Sequence, residues 1–178
     1  SSKWTTNHKL LDTAYMVVRL TYDVDQFANG LPNISTIVRG KKVLDPTSIT
    51  AGSFVVGKKY QISAVGNTNF TAIGASANTV GVEFTATGVG SGTGTALLID
   101  WSDNPALCAY DYLRDTKYGL GETAANILTA SVTTAKGVCD ETVSLAAGGT
   151  QKRYTINGVV DTANSIKSNI EQMLGSMI

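Results

Sequence analysis

With 178 residues, 43% of them hydrophobic and 16% charged, the chain suits one sizeable domain, or one domain with a small extra module, since a chain of this length buries roughly 70% of its unfolded surface. Lys+Arg and Asp+Glu balance at 14 each, so there is no basic field to draw in nucleic acid and no polybasic patch for a membrane surface. No apolar run approaches the length of a bilayer span, and two cysteines are too few for a disulfide framework.

The opening residues Ser1-Ser2-Lys3-Trp4 carry neither an initiator Met nor a signal pattern, and the chain is read as an internal fragment of a longer protein. From Ala14 to Tyr22, Met16, Val18, Leu20 and Tyr22 alternate with Val17, Arg19 and Thr21. A period of two predicts a half-buried strand. After a turn-rich stretch holding Gly30 and Pro32, residues Ile34–Asp45 read as two short β-prone runs around Arg39-Gly40-Lys41-Lys42, which predicts a hairpin.

The composition then changes. Within Gly52–Leu97 the charged residues are Lys58, Lys59 and Glu83 alone, and nine of the chain's 18 glycines fall there. Short β-prone runs broken by Gly, Asn and Ser predict a small Gly-rich all-β module over residues 47–97, inserted into a host domain made of 1–46 and 98–178. Such a module is marginal alone and is expected to need a host to pack against.

Beyond Ile99 the pattern is helical. Asn104-Pro105 reads as a cap and first helical position, with Ala106, Ala109, Tyr110 and Leu113 on one face and Lys117 and Gly119 closing the helix. Val132, Ala135, Cys139 and Val143 predict a second helix, weakened by Gly137. Gly148-Gly149 makes a loop, Arg153–Asn157 reads as a strand with Asn157-Gly158 as its turn, and Ile166, Ile170, Met173, Leu174 and Met177 trace a last amphipathic helix. The expected fold class is α+β: strands and hairpins plus about three helices, with an inserted Gly-rich all-β module.

Catalytic chemistry is hard to assemble from these residues. The glycine-rich stretch Gly88–Gly94 lacks the Gly-Lys-Ser/Thr ending and the following helix that a phosphate cradle needs. Both Gly-Lys-Lys triplets, Gly40–Lys42 and Gly57–Lys59, read as solvated turns. His8 is the only histidine and lies in a polar terminal stretch, a poor foundation for a catalytic triad. Asp111/Asp115 and Asp140/Glu141 could be paired as acid and base of a cell-wall glycosidase. One helical turn apart on a solvated face, however, Asp111 and Asp115 simply stay ionised. Trp4 and Trp101 are too isolated for a sugar-stacking platform, and Trp101 is expected to pack as a core residue. Cys108 and Cys139 are expected to be buried reduced thiols. No catalytic residue, no metal and no cofactor is therefore expected.

Four stretches carry a resemblance: Asn7–Pro46 with its RGKKVxDP, Trp101–Gly121 with its WSxNPALxxxDYLxxxxYGLG, Val138–Val143, and Lys152–Met177 with its RYxxNGxxDT. In this order they resemble the central tail-hub protein of lambda-type phages, the tip attachment protein J family, over most of the chain outside the 47–97 segment. The resemblance implies a structural component at the distal end of the tail tube, without enzymatic activity, acting in tail assembly and host attachment. It implies as partners other copies of the chain, as a trimer in the virion, and neighbouring tail proteins. Contact with the host cell surface falls to parts outside this fragment, with no specific nucleic-acid binding and no membrane insertion. The implied location is the virion tail tip, after synthesis in the bacterial cytoplasm. Where that family passes from Asp-Pro to Trp-Ser through a short loop, this chain interposes residues from Thr47 to about Leu98.

A second hypothesis makes the inserted module an adhesion element that binds cell-surface glycans, with Asn67, Thr68, Asn69, Asn78 and Thr79 as candidate contacts. The competing reading of these five residues is turn chemistry.

Overall fold

The computed structural model describes residues 15–21, 23–25, 27, 30 and 33–177, and they fall into two compact units that divide between Gly40 and Lys41. The described residues of the first unit form no helix or strand. Its local order is a turn in which Phe27 N–H donates to Asp23 O at 3.0 Å and Gly30 N–H to Phe27 O at 2.9 Å. The strand expected over Ala14–Tyr22 is absent from Tyr15–Thr21, whose large side chains are exposed; Ala14 and Tyr22 lie outside the described residues. Alternation marks which face a strand would bury, but a strand exists only where another one pairs with it.

The second unit, residues 41–178, is a mixed α+β structure with a four-stranded antiparallel sheet, a two-stranded ribbon and three α-helices among its described residues. The sheet contains β1 (Lys42–Thr50), β2 (Lys59–Ala64), β3 (Glu83–Thr85) and β4 (Thr95–Trp101) in the order β1-β4-β2-β3. The hairpin expected over Ile34–Asp45 does not form. Lys42 opens β1 instead, and β1 pairs with the distant β4 from Lys42↔Trp101 to Thr50↔Thr95. The apolar run of β4 gives β1 a better partner than the exposed residues before it. Asp45-Pro46 sits at the irregularity between Leu44 and Ser48, on an edge strand where a missing N–H is tolerated. The later helices Pro105–Arg114 and Thr129–Asp140 pack against β1.

The residues between β1 and β4 carry their own core. Phe54, Tyr60, Ile62, Phe70, Ile73, Phe84 and Ala96 are buried together, with Ile49, Val65, Val82 and Leu98 packed around them. Four rings form its centre, with Phe54–Tyr60 centroids at 5.0 Å and Phe70–Phe84 at 5.6 Å. Burying each such side chain contributes about 1.5–3 kcal/mol. Gly94 is required here for space, since a Cβ would stand 2.5 Å from Val65 O and 2.8 Å from the Phe70 ring.

The helical part begins at Asn104. Its side chain accepts from Ala106 N–H at 3.0 Å and Leu107 N–H at 3.4 Å, and Pro105 opens α1 (Pro105–Arg114). This capping follows the expectation from sequence. α2 spans Thr129–Asp140 and α3 Ile166–Gly175. Val143, expected on the second helix, lies instead in β5 (Thr142–Ser144), which pairs with β6 (Thr150–Lys152). The strand expected over Arg153–Asn157 is not one: its amides are taken by loop and helix-end carbonyls, with Arg153 N–H to Glu141 O at 2.7 Å, Tyr154 N–H to Cys139 O at 3.2 Å and Ile156 N–H to Asp103 O at 2.8 Å. The buried apolar residues of this part are Ala106, Leu107, Ala109, Tyr110, Tyr112, Cys139 and Met173, of which Ala109, Tyr112 and Met173 form a cluster with Ile156 and Ile170 beside them.

Candidate functional site

Several charged residues of the second unit gather where β1, α1, α2, β6 and the segment after it approach one another. Lys41 Nζ bridges two carboxylates of α1, at 2.7 Å from Asp111 Oδ2 and 2.6 Å from Asp115 Oδ2. Asp111 and Asp115 are one turn apart, as the sequence indicates, but their side chains are only 20% and 16% exposed. They form a receptor for a lysine where a freely solvated face was expected. The Gly40-Lys41-Lys42 triplet is correspondingly no simple turn.

The Lys41 ammonium and the backbone amides of Tyr118 and Lys117 hold the Asp115 carboxyl down to about 2 against the opposing effect of burial. Burial pulls the Lys41 ammonium down, yet hydrogen bonds and charge from Asp111 and Asp115 outweigh it, and its pKa is raised. Beyond α1 the chain folds back on the helix end, with Leu120 N–H donating to Tyr112 O and Glu122 N–H to Leu113 O. Gly119 makes this approach possible: a Cβ there would fall 1.8 Å from Tyr112 O.

Lys152 makes a second bridge, at 2.8 Å from Asp103 Oδ1 and 3.0 Å from Asp140 Oδ1. Asp103 raises the pKa of Lys152 most, burial opposes the shift, and Asp140 adds to it. Asp140 Oδ1 is buried, and the Lys152 ammonium is the cation beside it. Arg153 pairs with Glu141 at 2.7 Å, and Lys136 reaches Asp45 at 2.5 Å and Thr47 Oγ1 at 3.3 Å. Asn169, itself buried, donates to Tyr112 Oη at 3.0 Å and to Asp161 O at 2.9 Å.

A shallow polar depression of about 500 Å³ opens beside this network, lined by Asp103, Lys152, Arg153, Tyr154 and Ser176 among others. Its cations already have carboxylate partners within the chain. Among the described residues, no group of three or more His, Cys, Asp or Glu is placed to hold a metal ion. His8 and Trp4 lie outside the described residues. Trp101 is half-buried at the end of β4. Cys139 is buried and Cys108 half-buried, both as free thiols whose pKa values burial raises. No helix among the described residues is long and apolar enough to cross a membrane.

The five candidate glycan contacts lie in the β module with most of their polar atoms engaged within the chain. Asn67 Oδ1 accepts from Thr93 N–H at 2.7 Å. Thr68 is buried, donating to Ser91 O at 2.8 Å and accepting from Gly94 N–H at 2.9 Å. Asn78 Oδ1 accepts from Phe70 N–H at 2.7 Å and Thr71 N–H at 3.2 Å, capping the 3-10 turn Phe70–Ile73 from outside. Asn69 Oδ1 accepts from Thr71 Oγ1 at 2.6 Å and Asn78 Nδ2 at 3.2 Å. Thr79 is exposed, and its carbonyl closes a turn with Val82 N–H. Asn67 with Thr68, and Asn69 with Asn78, thus form two separate loop locks.

The residues without a role in the sequence reading are Lys136, Lys152 and Asn169, and Lys41 has there only the role of a turn residue. The charge complementarity of the Arg39–Lys42 and Asp111–Asp115 stretches was the available signal. Comparison of the chain with models of known protein families, with curated proteins and with solved structures finds no match in any of the three.

Proposed function

We propose that this chain is a structural component of a phage tail tip, the hub at the distal end of the tail tube, and that it acts in tail assembly and host attachment without catalysis. The observation that carries this reading is that the stretches behind the resemblance are stitched to one another. Lys41, from the first, meets Asp111 and Asp115 of the second. Lys152, from the fourth, meets Asp103 of the second and Asp140 of the third, and Arg153 meets Glu141. Tyr112 of the second takes the Asn169 hydrogen bond of the fourth. The motif residues thus hold a fold together where a catalytic motif would converge on a free nucleophile or base.

On this reading the partners are other copies of the chain, as a trimer in the virion, and neighbouring tail proteins, while residues 47–97 are a module inserted into the hub. Immunogold labelling of phage particles from the source strain, with antibodies raised against this chain, tests it. Gold at the distal end of the tail is expected. Label on the capsid, or none on intact particles that carry the gene, would overturn it.

A further inference from the structure

We propose that Asn157-Gly158 is a site of spontaneous deamidation, at which the side-chain amide is converted to aspartate and isoaspartate. Both residues are exposed in an irregular stretch. Among the described residues neither the Asn157 side chain nor the Gly158 N–H has a hydrogen-bond partner. The space around Gly158 Cα is open, so nothing holds the peptide away from the geometry of attack.

The Gly158 amide nitrogen, on losing its proton, attacks Asn157 Cγ. A C–N bond forms, the bond from Cγ to the side-chain nitrogen breaks, and ammonia leaves with the proton. Water then opens the resulting succinimide at one carbonyl to give aspartate or at the other to give isoaspartate, with no oxidant or reductant involved. The isoaspartyl product routes the backbone through the former side chain and lengthens it by one carbon. Fixed points lie on both sides: Ile156 is held to Asp103 O at 2.8 Å and packs on the Ala109/Tyr112/Met173 cluster, while Asp161 O takes the Asn169 amide. Conversion therefore strains the joint between the motif stretches and leaves the β module untouched.

Other asparagines serve as internal controls. Asn104 is followed by Pro105, which has no N–H to attack, and is 1% exposed with its side chain committed to capping, while Asn67 and Asn78 precede threonines and their side chains are bonded within the module. The whole protein is incubated at mildly alkaline pH and mapped by mass spectrometry, with isoaspartyl methyltransferase labelling to tell the two products apart. Conversion at Asn157 is expected to outrun that at Asn67, Asn78 and Asn104, to rise with pH, and to slow about tenfold in Gly158→Ala, because a Cβ hinders the approach that glycine permits. Gly158 has no positive φ and its Cβ would meet no neighbour, so this variant keeps the fold. Retention of the Asn157 amide to the same extent as Asn104, or an unchanged rate in Gly158→Ala, would overturn the proposal.

Discussion

The β module and the helical part of the second unit are held together by different physics. Between β1 and β4, four aromatic rings and the aliphatic residues around them make one closed core, and the segment's few charges sit at its margins, Lys59 with Glu83 and Lys58 with Asp100. From Asn104 onward no apolar cluster of that size forms: Ala109, Tyr112 and Met173 pack together, Ala106, Leu107, Tyr110 and Cys139 are buried outside that cluster, and capping groups, buried amides and two-carboxylate lysine bridges add to them. A core of apolar area loses stability in proportion to the volume removed from it. A polar network fails at whichever group is left without its partner.

This contrast predicts where damage spreads. Phe70, at 0% exposure, touches the Phe54 and Phe84 rings, so Phe70→Ala should cost about 3–5 kcal/mol and unfold the module first. Urea titration followed by phenylalanine near-UV dichroism, to which Phe54 and Phe84 of the module contribute, should show the early transition, with the helical signal lost at higher urea. Simultaneous loss of both signals would mean that the two parts share one cooperative core.

The next effects belong to the helical part. Gly119→Ala places a Cβ 1.8 Å from Tyr112 O and should cost about 2–3 kcal/mol, lowering the helical melting transition while the module's holds. Asn104→Ala removes both capping bonds and the donation from Nδ2 to Lys136 O at 3.0 Å. A loss of about 2 kcal/mol is expected. Thermal unfolding followed by helical dichroism checks both variants, and a wild-type midpoint in either would show that the segment relaxes around the change.

The lysine bridge is smaller in effect but has a signature in pH. Because Asp115 titrates at about 2 in the folded chain against an ordinary 3.8, its contribution is complete above the ordinary value and is lost as pH falls from about 4 toward 2. Lys41→Met should cost about 1 kcal/mol at neutral pH and flatten that acid limb. The Lys58–Asp100 pair, whose carboxyl Lys58 likewise holds low, remains as a baseline of the same sign. An acid limb unchanged in Lys41→Met would place the acid sensitivity elsewhere.

Local chemistry was legible in the sequence, and remote pairing was not. Asn104-Pro105 announces a helix start because a cap acts on amides two and three residues away. The stripe of Ile166, Ile170 and Met173 announces α3 because helix faces repeat within a few residues. The hairpin expected for Ile34–Asp45 gives way to β1 because the strand's partner, β4, lies some fifty residues on, and no property of Lys42–Thr50 names that partner. The site suffers from the same distance. Lys41 finds Asp111 and Asp115 across separations of 70 and 74 residues, so each carboxylate read alone looked solvated. The change of composition over Gly52–Leu97, by contrast, is a bulk property and is read without any knowledge of pairing, although β1 and β4 run across both ends expected for the segment.

The smallest effect expected is also the sharpest test of the division. Joining Pro46 to Ile99 through a short Gly-Ser linker removes residues 47–98, and with them β2, β3 and the aromatic core. What remains of the sheet is the outer end of the β1–β4 pair, where Lys42↔Trp101, Val43↔Asp100 and Leu44↔Ile99 face one another, so the new ends are already neighbours. Asp45 is retained for Lys136, and Lys41 for its two carboxylates. Closure entropy depends only weakly on loop length and favours the shorter loop, and the lost core makes no part of the Ala109/Tyr112/Met173 cluster. The shortened chain should therefore melt cooperatively within about 1 kcal/mol of the helical transition in the whole protein. A molten or insoluble product would show instead that the module's strands complete the core against which α1 and α2 fold.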